Sequence, residues 1–169
     1  MDKRYLFENV LDVAGFYINE LSIPSADHET IEPFPLKVHE MLYITWAIYA
    51  ATYGKNHDYP AMLFPADFVP SRFGPIVVKL EHAYHHNAIP KQTWKTIKNK
   101  MNLIKSLQDD VLHNTEMLLN QLEQASMFTL ISSSRHDKAF KTAEQEHTKL
   151  NPNAIIIEYD KLMENYLNK

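Results

Sequence analysis

Three histidines come closest to a metal-binding pattern, and they lie together as His82, His85 and His86. On a helix, residues three and four apart share one face, so two of these imidazoles would lie side by side, as helix-borne metal sites require. The order of residues 81–85 differs from His-Glu-x-x-His, which leaves no position for the general base of a zinc protease. A solvated polar helix face is therefore the favoured interpretation. A metal-dependent enzyme that uses these histidines stays an alternative.

The residue types of a serine triad also occur close together, as the three serines at 132–134 followed by His136 and Asp137. A nucleophilic serine needs a base brought in from elsewhere in the fold and an oxyanion hole, which usually lies on a glycine-rich turn. These residues are only neighbours in sequence, and no glycine occurs after Gly74. We therefore expect serine to cap a helix over residues 136–147, and we predict neither a catalytic residue nor an enzyme.

A local run of lysines contains no acid and surrounds Trp94; its members are Lys91, Lys95, Lys98, Lys100 and Lys105. Such a pattern can contact phosphates while the aromatic ring stacks on a base. It can also meet an acidic protein partner, or form a solvated face above an apolar stripe. The solvated face is favoured. The net charge of −4 also speaks against nucleic acid as the expected partner, because general polyanion binders are basic.

Composition excludes several classes of site in this chain of 169 residues. Its three glycines, Gly15, Gly54 and Gly74, are too far apart for a dinucleotide or Walker A loop, in which backbone amides approach phosphates closely. Cysteine is absent, which excludes disulfides, iron–sulfur clusters and thiol catalysis. We therefore predict no cofactor and no metal.

The proportions of apolar and charged residues, 45% and 22%, are those of a folded protein. No secretory signal is visible in residues 1–20, which carry acidic residues and no unbroken apolar stretch. The most apolar run, residues 41–53, is shorter than the roughly 20 residues that a membrane span needs. We expect a cytoplasmic protein without a membrane partner.

Periodicity indicates a chain of helices. Amphipathic helices are predicted over residues 4–21 and 155–167, a helix that is apolar on nearly every side over 36–53, and a basic amphipathic segment over 92–107. Gly54 should end the apolar helix, Pro75 should occupy the first turn of a helix that runs to about residue 87, and Asp109–Asp110 should cap a helix through residue 125.

The segment between these helices, about residues 55–75, is rich in proline, and we expect it to be irregular. The predicted fold is all-α: a single globular domain over residues 1–169, with six to eight helices around the apolar central helix and this proline-rich excursion in the middle.

Four segments, in order, resemble the Panacea antitoxin domain, which is also found in phage-associated proteins. Residues 35–43 are similar to its opening lysine-x-x-lysine-leucine-leucine-tyrosine motif; Lys37, Leu42 and Tyr43 match, and Glu40 stands in place of the second lysine. Residues 63–77 look like its acidic and aromatic stretch, which leads to an aromatic-Gly-Pro turn.

Two further segments complete the resemblance. Residues 130–136, with Phe140 one turn later, resemble the family's leucine-serine-x-histidine motif, and residues 155–167 resemble its last helix. The matching residues also have physical roles as scaffold. Leu42 and Tyr43 would fill the core, Gly74 would allow a tight turn, and His136 would bridge a helix start to a neighbouring segment.

The resemblance implies an antitoxin without catalytic activity that neutralises a cognate protein toxin by direct binding, within a toxin–antitoxin system. An adaptor or anti-defence interaction protein associated with phage is the alternative, and the neighbouring gene would discriminate the two. The aromatic content of a segment expected to be a loop suggests where a partner binds. We predict Tyr59, Phe68, Arg72 and Phe73 as anchor residues.

Overall fold

A computed structural model describes residues 4–27, 29–65 and 68–146. This part of the chain forms seven helices and two small antiparallel sheets of two strands each. The elements are α1 (Val10–Leu21), β1 (Ile23–Pro24), β2 (Thr30–Ile31), α2 (Pro35–Tyr53), β3 (Phe68–Ser71), β4 (Gly74–Val77), α3 (Val78–His85), α4 (Trp94–Asn99), α5 (Lys105–Gln124), α6 (Met127–His136) and α7 (Lys138–Glu146). The prediction of a helix-rich chain is confirmed; a purely helical one is wrong.

Helix α2 lies at the centre, because its residues are apolar on nearly every side and it can therefore pack against several neighbours. It contacts α1, α5, α6 and strand β4. Two of its polar side chains, Thr45 and Trp46, form hydrogen bonds within the core. Tyr17 of α1 donates a 2.7 Å hydrogen bond to the Thr45 hydroxyl, and the Trp46 indole donates to the Phe64 carbonyl at 3.1 Å. The predicted central helix ending before Gly54 is confirmed.

Strands β3 and β4 form a hairpin where an irregular segment was expected. The register pairs Pro70 with Pro75, next to the pair Val69 and Ile76. Proline lacks a backbone N–H, but in a two-stranded ribbon every second pair directs its N–H groups outward, so prolines opposite each other lose no ladder bond. The same pairing corrects the position of Pro75, which lies in β4; helix α3 begins at Val78.

Gly74 closes the hairpin turn directly against α2. Its φ of +115° is a backbone angle that residues with a side chain rarely adopt. An added Cβ would also lie 1.9 Å from Oε1 of Glu40. Both the backbone conformation and the lack of space therefore require glycine. This contact determines how closely the hairpin packs on the central helix.

Other helix boundaries differ from the sequence pattern. Residues 4–9 precede α1 and run alongside residues 62–63, with Leu6 and Phe7 donating to the carbonyls of Met62 and Leu63 at 2.9 Å. Helix α5 begins at Lys105, so Asp109 lies inside it and is paired with Lys98 of α4. Ser126 caps α6, and the serines at 132–134 lie within that helix.

Two predictions are not addressed by these elements. The helix expected over residues 155–167 lies outside the described residues, and a single domain stays a prediction. Among the helices of residues 4–27, 29–65 and 68–146, none has the length and apolar character of a membrane span.

Replacing Gly74 with alanine should lower the free energy of unfolding by about 2 kcal/mol or more, because the methyl group meets the Glu40 carboxyl and the φ is strained. Urea denaturation measures this. In a Glu40→Ala background the same replacement should cost less, since the space is then open. An equal loss in both backgrounds would contradict the proposed contact.

Candidate protein-interaction site

The turn of the hairpin, residues 71–74, displays two of the predicted anchor residues on the surface. We call it the hairpin tip. Ser71 organises it, since its hydroxyl donates to the Gly74 carbonyl at 2.6 Å and accepts from the Phe73 amide at 3.2 Å. Phe73 is 51% exposed, and the exposed Arg72 guanidinium lies 5.2 Å from the centre of its ring. An ordered arginine–aromatic pair therefore faces solvent.

Helix α6 supports the hairpin tip from the side. Arg135 donates from Nη1 to the Arg72 carbonyl at 3.1 Å, and its other terminal nitrogen lies 3.6 Å from the Glu144 carboxylate. Because the carbonyl of the turn is held by a side chain of a packed helix, the tip is tied to two elements and not only to its own strands.

A buried carboxyl lies beneath the hairpin tip. Glu40 is fully buried, and neither of its carboxyl oxygens has a hydrogen-bond partner among the described residues. The Ser134 hydroxyl is close by, but it donates to the Ile131 carbonyl at 3.1 Å. Burial raises the pKa of Glu40 to about 8, and the hydroxyl opposes this shift only in part. The carboxyl is therefore neutral at pH 7, since its ionised form would be poorly solvated.

The neighbouring His39 attaches both β4 and α3 to the central helix. The Val77 amide donates to its Nδ1 at 3.0 Å, which places the ring proton on Nε2, and Nε2 donates to Glu81 at 2.6 Å. Burial lowers the pKa of His39, although Glu81 opposes the shift. The neutral His39 ring thus connects α2, β4 and α3 through hydrogen bonds. Sequence reasoning did not single out His39 or Glu81.

Phe68 is not a surface anchor, which corrects the prediction for this residue. It is 1% exposed; its ring packs edge-on against Tyr43 at 5.2 Å between centroids and in a tilted arrangement against Trp46 at 5.0 Å. The hairpin lies on α2 through β4, and the ring of the first residue of β3 reaches the core beside it. Phe68 therefore holds the hairpin in place from within.

Tyr59 is half-buried and lies away from the hairpin tip. Its ring packs on Tyr53 at 4.5 Å between centroids, and its hydroxyl is 3.5 Å from Asp110 of α5. Tyr53 lies near the end of α2, whereas the tip lies over Glu40, thirteen residues earlier on that helix. Thirteen helical residues correspond to about 20 Å along the helix axis. The structure brings Arg72 and Phe73 together and leaves Tyr59 apart.

The residues of the family motifs have scaffold positions, with one correction. Leu42 and Tyr43 are fully buried, and the Tyr43 hydroxyl donates to Asp137 at 2.6 Å. Lys37 donates to the Glu123 carbonyl at the end of α5 at 2.7 Å. His136 does not bridge to another segment through Nδ1, which is bonded to the Ser132 carbonyl of its own helix at 2.6 Å.

The geometry of the histidine cluster does not favour metal binding, and that of the lysine run does not favour base stacking. His82, His85 and His86 are exposed, and within residues 4–27, 29–65 and 68–146 no three His, Asp or Glu side chains are grouped to hold a metal ion. In the basic run, Lys98 pairs with Asp109 and Lys100 with Asp12. Trp94 is not free to stack on a base, because its indole donates to Glu20 at 2.7 Å and packs edge-on against Phe16.

No protein-family model, curated protein or solved structure matched this chain. The function proposed below is therefore supported by the geometry of the hairpin tip and by the resemblance of the sequence motifs. The supports of the tip also have a consequence for stability.

The unfolding free energy should depend on pH through Glu40. The folded chain holds this proton up to about pH 8, whereas an ordinary glutamate loses it near pH 4.5, so stability falls as pH rises through this window, by up to about 1.4 kcal/mol per unit. Glu40→Gln should remove this component and be the more stable protein at pH 8.5. Urea denaturation between pH 5 and 9 measures both proteins; parallel curves would contradict a buried neutral carboxyl.

Proposed function

We propose that this protein is an antitoxin that neutralises a cognate protein toxin by direct binding, and that the hairpin tip is the centre of the contact surface. The observation that carries the proposal is the exposure of Arg72 and Phe73 on a turn that Gly74, Ser71 and Arg135 hold in place. The sequence motifs that resemble the Panacea domain support the same function. No catalytic step is needed for it.

The chemistry of the hairpin tip suits a protein partner. Arginine and large aromatic side chains dominate the residues that contribute most to interface affinity. Here the Arg72 guanidinium already lies over the Phe73 ring, so a partner that covers both loses less conformational entropy than it would with two mobile side chains. The guanidinium also offers several donors to an acidic or carbonyl-lined surface.

The exposed side of α6 extends this surface. Phe128, which is 82% exposed, precedes Arg135 by seven residues, and residues seven apart lie on nearly the same side of a helix, about 10 Å from each other along its axis. A stable complex buries about 800 Å² on each partner, more than the tip alone offers. The exposed residues Arg135 and Phe128 of α6 therefore enlarge the surface that a partner centred on the tip could cover.

Arg72→Ala and Phe73→Ala should each weaken the complex with the toxin by about thirtyfold and abolish growth rescue, because both residues are anchors. The melting temperature should stay within about 2 °C of the wild type, since exposed side chains contribute little to stability. The measurement is growth on co-expression with the product of the adjacent gene, followed by titration of the purified pair.

The matched control is Ile104→Ala, which removes an exposed apolar side chain (66%) from the start of α5, away from the tip. It should leave rescue and affinity unchanged. If the tip variants also rescue, the contact surface lies elsewhere. If the wild type does not protect against the neighbouring product, the antitoxin function is wrong; protection without a stable complex would favour an adaptor that delivers the toxin to a protease.

A further inference from the structure

Helices α2 and α5 run side by side in opposite directions and leave an apolar groove between them. Lys37, near the start of α2, donates to the Glu123 carbonyl near the end of α5 at 2.7 Å. At the other end of α2, the Tyr53 hydroxyl accepts a hydrogen bond from Asn114 of α5 at 2.5 Å. The groove has a volume of about 240 Å³. Because both helices are tied together on either side of it, the groove exists before anything binds there.

An apolar side chain lies at the edge of this groove. Met117 of α5 lines the groove and is 50% exposed, whereas Leu118 beside it is half-buried in the same wall. The unbranched thioether side chain of methionine adapts to irregular apolar surfaces, and methionine is enriched at protein interfaces. One surface of the molecule therefore carries both an exposed apolar side chain and an apolar depression that can receive one.

The side of α5 that borders the groove is nearly uncharged. Five of the 20 residues of α5 carry a charge. One of them, Asp110, accepts hydrogen bonds from Tyr53 and Tyr59 at 3.2 and 3.5 Å. Successive helical residues are about 100° apart, which places the other four within about 40° of one another on the side opposite the groove. These four are Lys105, Asp109, Glu116 and Glu123.

This charge distribution favours a second copy of the same chain as the occupant of the groove. Across a two-fold axis the same surface meets itself, so charges on it would come close to charges of the same sign. Among the described residues, those that line the groove are all uncharged. Its exposed polar side chains include Asn114 and Gln121, whose amides both donate and accept hydrogen bonds and can therefore pair with their own copies.

The face around the groove also has the size that a dimer needs. Helix α5 has 20 residues and is therefore about 30 Å long, and together with the neighbouring α2 the face is about 20 Å wide. Its area is of the same order as the roughly 800 Å² that each partner buries in a stable complex. The groove shares no lining residue with the hairpin tip, so the two surfaces do not compete for the same side chains.

We propose that two copies of this chain associate across a two-fold axis through the α2–α5 groove, with Met117 of each copy inserted into the groove of the other. The proposal goes beyond the antitoxin function and does not depend on it. Removal of Met117 and of the apolar groove wall from water drives the association. A dimer of this kind carries two hairpin tips.

Sedimentation velocity of the full chain over a concentration series tests the proposal. We expect a species of twice the chain mass that dissociates on dilution. Met117→Lys should weaken self-association about tenfold or more, because it removes the inserted side chain and brings two like charges together. Gln121→Lys, in the same groove, should also weaken it, whereas Met117→Leu should retain it. The matched control is Ile104→Lys, which places the same charge at an exposed apolar position outside the groove and should have no effect.

Folding and salt dependence complete the test. Met117 and Gln121 are exposed, so both lysine variants should keep the circular dichroism spectrum and, within about 2 °C, the melting temperature of the isolated subunit. Self-association should change little between low and high salt, because the contact is uncharged. A single-chain mass at every concentration would overturn the proposal. So would a dimer that tolerates Met117→Lys, that Ile104→Lys weakens equally, or that salt dissociates.

Discussion

The contact between the Gly74 backbone and the Glu40 carboxyl determines where the β3–β4 hairpin lies on the central helix, and with it where Arg72 and Phe73 are displayed. Glycine is required because a Cβ would occupy the position of the carboxyl oxygen. One residue before Glu40, the His39 ring receives the Val77 amide and fixes the far end of the same hairpin. Two consecutive polar residues of the largely apolar helix α2 therefore contact both ends of strand β4.

This arrangement stabilises a displayed turn at the expense of a buried carboxyl. Burying an acidic side chain without hydrogen bonds is unfavourable, and the chain tolerates it by keeping Glu40 protonated. The unfavourable burial of Glu40 accompanies a supported turn at the surface. Arg72 and Phe73 lie on this turn, which Glu40 contacts from below and Arg135 holds from the side.

The sequence allowed the central helix to be predicted, because residues 36–53 are apolar on nearly every side between Pro35 and Gly54. It did not allow the hairpin to be predicted, since Pro70 and Pro75 argue against strands unless they are known to face each other in a two-stranded ribbon. Aromatic content in the segment identified Phe73 correctly as exposed but not Phe68, because only the strand register shows which residue faces α2. The pair His39 and Glu40 within an apolar helix was the available signal for the support beneath the tip.

Hydrogen–deuterium exchange of the chain, alone and mixed with the product of the adjacent gene, tests the proposed binding surface most directly, because it maps the bound surface without any substitution. If the partner binds through the hairpin tip, added protection is concentrated in residues 68–77 and in the last turns of α6. Protection confined instead to the apolar groove between α2 and α5, around Ile48 and Leu118, or the absence of any change, would contradict binding through the hairpin tip.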